Sequence, residues 1–153
     1  MRFKLCLWLT LAACPTLAEP RVLAATPLTV NQCDQLGEFA AGAAPPPNLQ
    51  GVWDFTMDTK PRLSRGFLVL GPVDGAWAGS LTPYATNSLA IRTLALQANA
   101  VRMVVASREG DVVFTGRLAG DGTIMCGTVA YHGGRVFPMI VRQRPPHRFY
   151  PSR

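Results

Sequence analysis

The residues best suited to acid, base or nucleophilic chemistry in this 153-residue chain are two histidines, His132 and His147. His132 precedes a Gly-Gly pair and His147 lies in a proline-rich tail, so both are predicted to be exposed loop residues. The G-x-S-x-G motif, which places a nucleophilic serine on a strand-to-helix turn, does not occur in the sequence. The sequence therefore predicts no Ser-His-acid set, and we expect the protein not to be an enzyme.

The carboxylates do not indicate a paired acid and base either. Asp54 and Asp58 share one face of a predicted strand, which is the pattern of a solvated barrel exterior. Asp74, Asp111 and Asp121 adjoin glycines in predicted turns, where a short carboxylate side chain caps the local backbone. We interpret these carboxylates as surface and turn residues.

Four cysteines are present, and Cys6 and Cys14 lie in or next to a predicted export signal. The other two, Cys33 and Cys126, are predicted to form a disulfide because exported proteins meet an oxidising environment. The two lie far apart in sequence, so loop closure is expected to stabilise the fold by about 4 kcal/mol. Two unrelated reduced thiols are the alternative. No C-x-x-C spacing occurs, and no metal or cofactor is predicted.

Residues 1–18 have the composition of a signal peptide. A basic start is followed by an apolar run that is too short to cross a bilayer as a helix. Two cleavage sites remain open, because Thr16-Leu17-Ala18 suits ordinary signal peptidase whereas Leu11-Ala12-Ala13-Cys14 resembles a bacterial lipobox, in which the cysteine becomes lipidated. We therefore expect export, either as a periplasmic protein or as one anchored by lipid at Cys14 on the periplasmic side.

The charge pattern argues against a nucleic-acid partner. The formal net charge of the whole sequence is +6, and loss of Arg2 and Lys4 with the signal would leave 13 basic against 9 acidic residues, or +4. The basic residues are scattered rather than gathered in a stripe with interleaved aromatic residues. We expect no nucleic-acid partner, and contact with a membrane only through a lipid anchor.

An alternation of apolar and polar residues with period two runs from Gly51 to Arg142 and predicts an all-β domain. Its centre is Val112–Tyr131, where Asp121-Gly122 separates two apolar runs and marks a β-hairpin. Tight turns separate about eight predicted strands, so neighbours pair antiparallel in an up-and-down order that closes as a barrel. The predicted strands are Gly51–Met57, Gly66–Leu70, Ala76–Thr82, Leu89 or Ile91 to Leu96, Val101–Ser107, Val112–Leu118, Ile124–Tyr131 and Val136–Arg142.

The chain on either side of this domain is predicted to be irregular. Residues 19–48 form an N-terminal segment with a short helix or turn at residues 31–40 and a linker at residues 41–47, where three prolines exclude a sheet interior. The barrel domain occupies residues 49–144. Residues 145–153 are predicted to form a flexible tail.

Three glycines, Gly79, Gly116 and Gly127, lie on the same strand faces as large side chains. A glycine inside a strand costs stability unless the sheet bends there or another backbone comes close. They therefore indicate a sheet that curls toward this face and closes as a barrel. Pro138 lies inside the last predicted strand, and a proline there is expected at an edge or a bulge.

The same alternation assigns a set of large apolar side chains to the barrel interior. They could fill the barrel or line a ligand pocket, and a filled core is the preferred interpretation because eight strands leave just enough room for side chains. These candidates are Trp53, Phe55, Phe67, Trp77, Met103, Phe114, Met125, Tyr131, Phe137 and Met139.

The outer face of the central hairpin is unusually apolar for a solvated barrel and is expected to need a cover. A Cys33–Cys126 bridge would lay the segment that contains Leu36 and Phe39 over this face. The outward positions are Val113, Thr115, Ile124, Cys126 and Thr128.

The opening of the first strand, Leu49-Gln50-Gly51-Val52-Trp53, resembles the G-x-W motif of lipocalins and other calycins. The resemblance implies that Trp53 closes the bottom of the barrel and stacks on a late arginine, Arg142 or Arg144. Residues 51–142 are also similar to the β-barrel domain that precedes the catalytic domain in some exported bacterial α/β-hydrolases, through the glycine patterns at Trp77–Leu81 and Phe114–Thr128. That similarity implies an exported barrel without its enzyme.

Two functions from different classes follow. The first is an exported noncatalytic barrel that binds a small apolar molecule or an envelope partner; the alternative is a periplasmic inhibitor of a protease or lysozyme. An inhibitor is expected to lack a cavity and to insert an exposed segment, either residues 19–26 or residues 83–88, into the enzyme. A ligand-binding barrel is expected to contain an apolar cavity of a few hundred cubic ångströms.

Overall fold

The computed structural model describes Cys33, residues 48–119 and residues 121–145. The predictions for the signal peptide, the lipidation candidate Cys14, the helix or turn at residues 31–40, the proline linker and the tail from residue 146 onward therefore lie outside the described residues. So do the predicted cover residues Leu36 and Phe39, and His147.

Eight antiparallel strands form a closed barrel in which each strand pairs with the next and the last pairs with the first. This confirms the predicted all-β class and the up-and-down order. The strands are β1 (Gly51–Asp58), β2 (Leu63–Val73), β3 (Ala76–Pro83), β4 (Leu89–Gln97), β5 (Ala100–Ser107), β6 (Gly110–Ala119), β7 (Ile124–Ala130) and β8 (Val136–Gln143). A short 3₁₀ turn, His132–Gly134, connects β7 to β8. Within the described part of the chain, no helix has the length and apolar character needed to cross a bilayer.

The β2–β3 turn is shorter than predicted. Gly71, Pro72 and Val73 belong to β2, and the turn is reduced to Asp74 and Gly75. These two residues have φ angles of 50° and 78°. A two-residue hairpin whose central residues both have positive φ follows the twist of its strands, which lets β2 and β3 pair to their ends.

A β-bulge in β4 was not predicted. Ile91 pairs with Val105 and Thr93 pairs with Val104, so Arg92 is an extra residue on the β4 side. Inward positions on β4 consequently pass from Ile91 to Leu94, both of which are buried. The bulge adds local bend and twist to this wall of the barrel.

The predicted inward glycines lie where neighbouring backbones come closest. Gly116 and Gly127 face each other across the β6–β7 pair. A Cβ atom at Gly116 would overlap the carbonyl oxygen of Cys126, and one at Gly127 would come 2.5 Å from the Cα of Gly116. A Cβ at Gly79 would likewise overlap the carbonyl oxygen of Val69 on β2. The sheet curls tightly at these positions because there are no side chains to hold the strands apart.

Pro138 lies at a local sheet edge, as expected of a strand proline. It pairs with Thr128 on β7, whereas the pairing between β8 and β1 reaches only from Gln143 to Met139. Pro138 is therefore just beyond the β1–β8 ladder, where a missing N–H group costs little.

One end of the barrel is solidly packed around Trp53. The Trp53 ring is fully buried, and its indole N–H donates a 2.9 Å hydrogen bond to the carbonyl oxygen of Leu49, which is itself fully buried. The side-chain amide of Gln143 donates to the carbonyl oxygens of Asn48 and Gln50, which ties the segment before β1 across this end. Leu49 and Trp53 thus close the barrel from below.

The prediction that Arg144 stacks on Trp53 is wrong. Arg144 lies on the outer face, where its guanidinium carbon is 5.8 Å from the centroid of the Phe67 ring and its Nε donates a 2.8 Å hydrogen bond to Asp54. The carboxylate of Asp54 raises the pKa of Arg144. Arg142 also points away from Trp53, since its neighbour Val141 is the inward, fully buried residue.

Phe67 is therefore not an interior residue, contrary to the prediction. It pairs with the outward Asp54, and its ring centroid lies 6.3 Å from that of Tyr84. Leu68, the next residue, is fully buried in the core instead. Both alternations of Gly66–Leu70 are apolar, so only the pairing of β2 with β1 decides which one faces inward.

The predicted disulfide is present, and it covers part of the outer face. Cys33 and Cys126 are bonded, with Cα atoms 5.7 Å apart. Cys33 packs on a second apolar cluster of Ile124, Cys126 and Ile140, in which Ile140 is fully buried although it points away from the barrel interior. Of the other predicted outward positions, Thr115 and Thr128 are exposed.

Candidate functional site

The other end of the barrel is hollow. A cavity of about 320 Å³ lies above the packed core, at the end where β1 finishes and the β3–β4 and β5–β6 connections turn. Ligand pockets have volumes of about 300 to 1,000 Å³, so this cavity is suited to a small molecule. The interior is thus packed with side chains at one end and contains a cavity at the other.

The wall of the cavity is apolar. It consists of aromatic, thioether and aliphatic side chains from seven strands, and most of these side chains are buried members of the main core cluster. The wall residues are Phe55, Met57, Leu81, Leu89, Met103, Val105, Val112, Phe114, Val129 and Met139. Such a wall can bind an apolar body through the hydrophobic effect and dispersion, and its methionines can adapt to an irregular shape.

Two phenylalanine rings lie against glycines in this region. A Cβ atom at Gly66 would come 2.6 Å from Cε1 of Phe55, and a Cβ atom at Gly116 would come 2.6 Å from Cζ of Phe114. The rings can occupy these positions only because Gly66 and Gly116 have no side chain. The inward glycines therefore shape the cavity as well as the curvature of the sheet.

The polar residues of the cavity are confined to its mouth. They belong to the connections between strands and to the strand ends beside them, so they lie around the entrance rather than along the wall. The mouth residues are Ser64, Pro83, Ala85, Thr86, Ser107, Arg108, Glu109, Tyr131 and His132. A shallow groove that shares Ser64 and Ala85 continues from the mouth toward Leu63, Arg65 and Tyr84.

A hydrogen-bonded chain joins two connections at the mouth. The Ser107 hydroxyl donates a 2.7 Å hydrogen bond to the carbonyl oxygen of Gly110, and Ser107 Oγ lies 3.1 Å from Nε2 of His132. A hydroxyl has one hydrogen, so the Ser107 oxygen must accept from His132, whose Nε2 is then the protonated nitrogen. Ser107 is consequently not activated by His132, because the imidazole is the donor in this pair.

The predicted exposure of His132 is wrong. It was predicted to be an exposed loop residue, but it is half-buried and its ring lies over Gly110, where a Cβ atom would come 3.1 Å from Cε1 of the ring. Gly110 has a φ of 122°, which a residue with a side chain rarely adopts. The glycine thus allows both the turn and the close approach of the imidazole.

The titratable groups at the mouth give it little net charge. Burial raises the pKa of Tyr131, so its phenol stays protonated at neutral pH. Arg108 and Glu109 are adjacent, exposed and opposite in sign. The entrance therefore does not select strongly for a charged ligand.

Three carboxylates distant from the cavity have structural partners. Asp54 pairs with Arg144, and Asp121 accepts hydrogen bonds from the backbone and side chain of Thr123, which lower the pKa of Asp121. Asp111 was predicted as a turn residue, but it is the second residue of β6 and lies 3.3 Å from the guanidinium of Arg92. The ion pair joins the bulge residue of β4 to β6.

The ten interior candidates from the sequence occupy four different environments. Phe55, Met103, Phe114, Tyr131 and Met139 line the cavity. Trp53 and Met125 are fully buried in the packed end, and Trp77 and Phe137 are half-buried against the core. Phe67 lies on the outer face, as described above.

Sequence reasoning missed two groups of cavity residues. Aliphatic wall residues such as Val105 and Val129 obey the same alternation as the aromatic candidates, and that alternation was the available signal. Ser107 and His132 are 25 positions apart, and no motif links them. Only the neighbouring placement of the β5–β6 turn and the 3₁₀ turn brings them together.

Among the described residues, no group of three or more His, Cys, Asp or Glu side chains is placed to hold a metal ion. The chain matches no protein-family model, and no curated protein is similar to it in sequence.

Proposed function

We propose that the protein is an exported, noncatalytic β-barrel that binds a small apolar molecule in the hollow end of the barrel. The observation that carries this proposal is the cavity of about 320 Å³ with an apolar wall and polar groups only at its mouth. A binding protein needs such a cavity, whereas an inhibitor that inserts a segment into an enzyme does not.

The β3–β4 loop also supports ligand binding over inhibition. Of the two segments predicted to enter an enzyme in an inhibitor, residues 19–26 lie outside the described residues and residues 83–88 form this loop. Pro83, Ala85 and Thr86 line the mouth of the cavity, so the loop borders the entrance of a pocket. A loop in this place is suited to controlling access of a ligand to the barrel interior.

The polarity of the Ser107–His132 pair supports a noncatalytic role. A serine nucleophile needs a base that accepts a hydrogen bond from its hydroxyl group. The Ser107 hydroxyl instead donates its hydrogen bond to the carbonyl oxygen of Gly110. We further propose a lipocalin-like relationship, which the buried Trp53 at the closed end supports and the outward position of Arg144 does not.

Binding is expected to depend on the free volume of the cavity. Val105→Phe adds a ring to a wall residue that is 3% exposed, and it should weaken binding of N-phenyl-1-naphthylamine at least about tenfold by occupying the ligand's place. The measurement is a fluorescence titration of the neutral probe into each protein. Val136→Phe is the matched control, because Val136 is 57% exposed on the last strand and is not part of the cavity.

Equal affinity of the Val105→Phe and Val136→Phe proteins for the probe would show that it binds elsewhere. The melting temperature of each variant must be recorded, because loss of binding through unfolding would appear as a large decrease in that value. Native mass spectrometry of the wild-type protein purified from its host would then identify any retained ligand.

Export and anchoring are proposed from the N-terminal pattern, and the disulfide is compatible with them. If the lipobox Leu11–Cys14 is used, Cys14→Ala should move the protein from the membrane fraction to the soluble periplasmic fraction. The measurement is immunoblotting of the two fractions. Soluble protein from both the wild type and the variant would instead indicate cleavage after Ala18.

A further inference from the structure

The hydrogen-bonded chain at the mouth determines which groups a ligand can meet there. Because the Ser107 hydroxyl donates to the carbonyl oxygen of Gly110, Nε2 of His132 donates to Ser107 Oγ, and Nδ1 is an acceptor in the tautomer that carries its proton on Nε2. Within the described part of the chain, no hydrogen bond to Nδ1 accompanies the one made by Nε2. The ring of His132 borders the cavity.

An unpaired acceptor at the edge of an apolar site favours some ligands over others. A ligand with a hydroxyl group can donate to Nδ1, whereas an ether or a carboxylate would place one lone pair against another. An ammonium group could donate too, but its charge would lose hydration beside an apolar wall. A neutral hydroxyl satisfies the acceptor at the smallest desolvation cost.

The size of the cavity limits the apolar part of the ligand. Its 320 Å³ corresponds to roughly eleven water-sized volumes of about 30 Å³ each, so it accepts a body of about ten to fifteen non-hydrogen atoms. Phe55 and Phe114, whose rings lie against Gly66 and Gly116, contribute to this limit. Longer molecules would have to extend through the mouth into solvent.

We propose that the ligand is a compact neutral molecule with an apolar body and one terminal hydroxyl group, which donates a hydrogen bond to Nδ1 of His132. The inference rests on the proposed ligand-binding function and adds the chemical class of the ligand. The apolar body occupies the wall region, and the hydroxyl lies at the mouth between His132 and the solvent.

The experiment compares two constitutional isomers, decan-1-ol and 1-methoxynonane, as competitors of N-phenyl-1-naphthylamine for the full protein. The two have the same atoms, but only the alcohol can donate a hydrogen bond. The wild type is expected to bind the alcohol about three- to tenfold more tightly, which is the range of one net hydrogen bond. His132→Phe keeps a ring at the mouth and should reduce this preference to within about twofold, with little change for the ether.

Val136→Phe is the matched control, since it also introduces a phenylalanine but outside the cavity, and it should keep the preference for the alcohol. Equal affinity of the wild type for both isomers would overturn the inference while leaving the proposed function intact. A preference that survives in His132→Phe would also overturn it. Failure of the wild type to bind the probe and both isomers would instead refute the proposed function.

Discussion

Gly116→Val is expected to destabilise the protein by at least about 3 kcal/mol, a large part of the stability of a small domain. The new Cβ atom would overlap the carbonyl oxygen of Cys126 and lie 2.6 Å from Cζ of Phe114. The first contact is with backbone, so no side-chain rotation relieves it. The β6 and β7 strands would have to separate at the Gly116–Gly127 pair, which breaks hydrogen bonds on one wall of a closed barrel.

Urea unfolding followed by circular dichroism measures this loss, with Gly71→Val as the matched control. Gly71 also lies inside a strand, but no atom lies within 4 Å of a Cβ built there. Its substitution should change the stability by less than about 0.5 kcal/mol. Similar stabilities for the two variants would mean that the β6 and β7 backbones are not as close as described.

Removal of the disulfide is expected to lower the free energy of unfolding by about 4 kcal/mol, because the bridge closes a loop between residues 93 positions apart. The double variant Cys33→Ala/Cys126→Ala leaves no thiol in the apolar cluster with Ile124 and Ile140. Alanine at position 126 also leaves a small void there, which adds to the loss.

Urea unfolding of the wild type with and without reductant provides the control for this prediction. Reductant should destabilise the wild type by a similar amount and should not affect the double variant. A loss below about 1 kcal/mol on removal of both cysteines would show that the barrel is stable without the bridge. In that case the contact of Cys33 with the outer face would matter little for folding.

The strands and their order could be predicted from local pattern. Polar and apolar residues alternate through β1, and Asp121-Gly122 marks the hairpin turn between β6 and β7, so neither needed information from distant residues. The two-residue turn at Asp74-Gly75 was predicted too long, since Gly71 and Pro72 are turn-forming residues in most sequences. In the structure, Gly71 and Pro72 pair with Ala78 and Trp77 of β3, so β2 continues through both residues.

The bulge at Arg92 and the orientation of Phe67 depended on strand pairing. The inward residues Ile91 and Leu94 of β4 are three positions apart, whereas strict alternation predicts inward residues two positions apart. Around Phe67 both faces of β2 are apolar, so alternation gives no preference. Its pairing with Asp54 on β1 is what places it outside, beside Arg144.

The sequence by itself determined the all-β class, the strand order, the inward glycines and the disulfide partners, because each depends on local periodicity, turn chemistry or a count of cysteines. Tertiary structure decided that one end of the barrel is packed and the other contains a cavity. Phe114, which lines the cavity, and Trp53, which fills the core, have the same alternation and the same apolar character. What separates them is their position along the barrel. Gln143 holds the segment before β1 across the end that contains Trp53, and Ser107 meets His132 at the other end. Both contacts join residues that are distant in sequence.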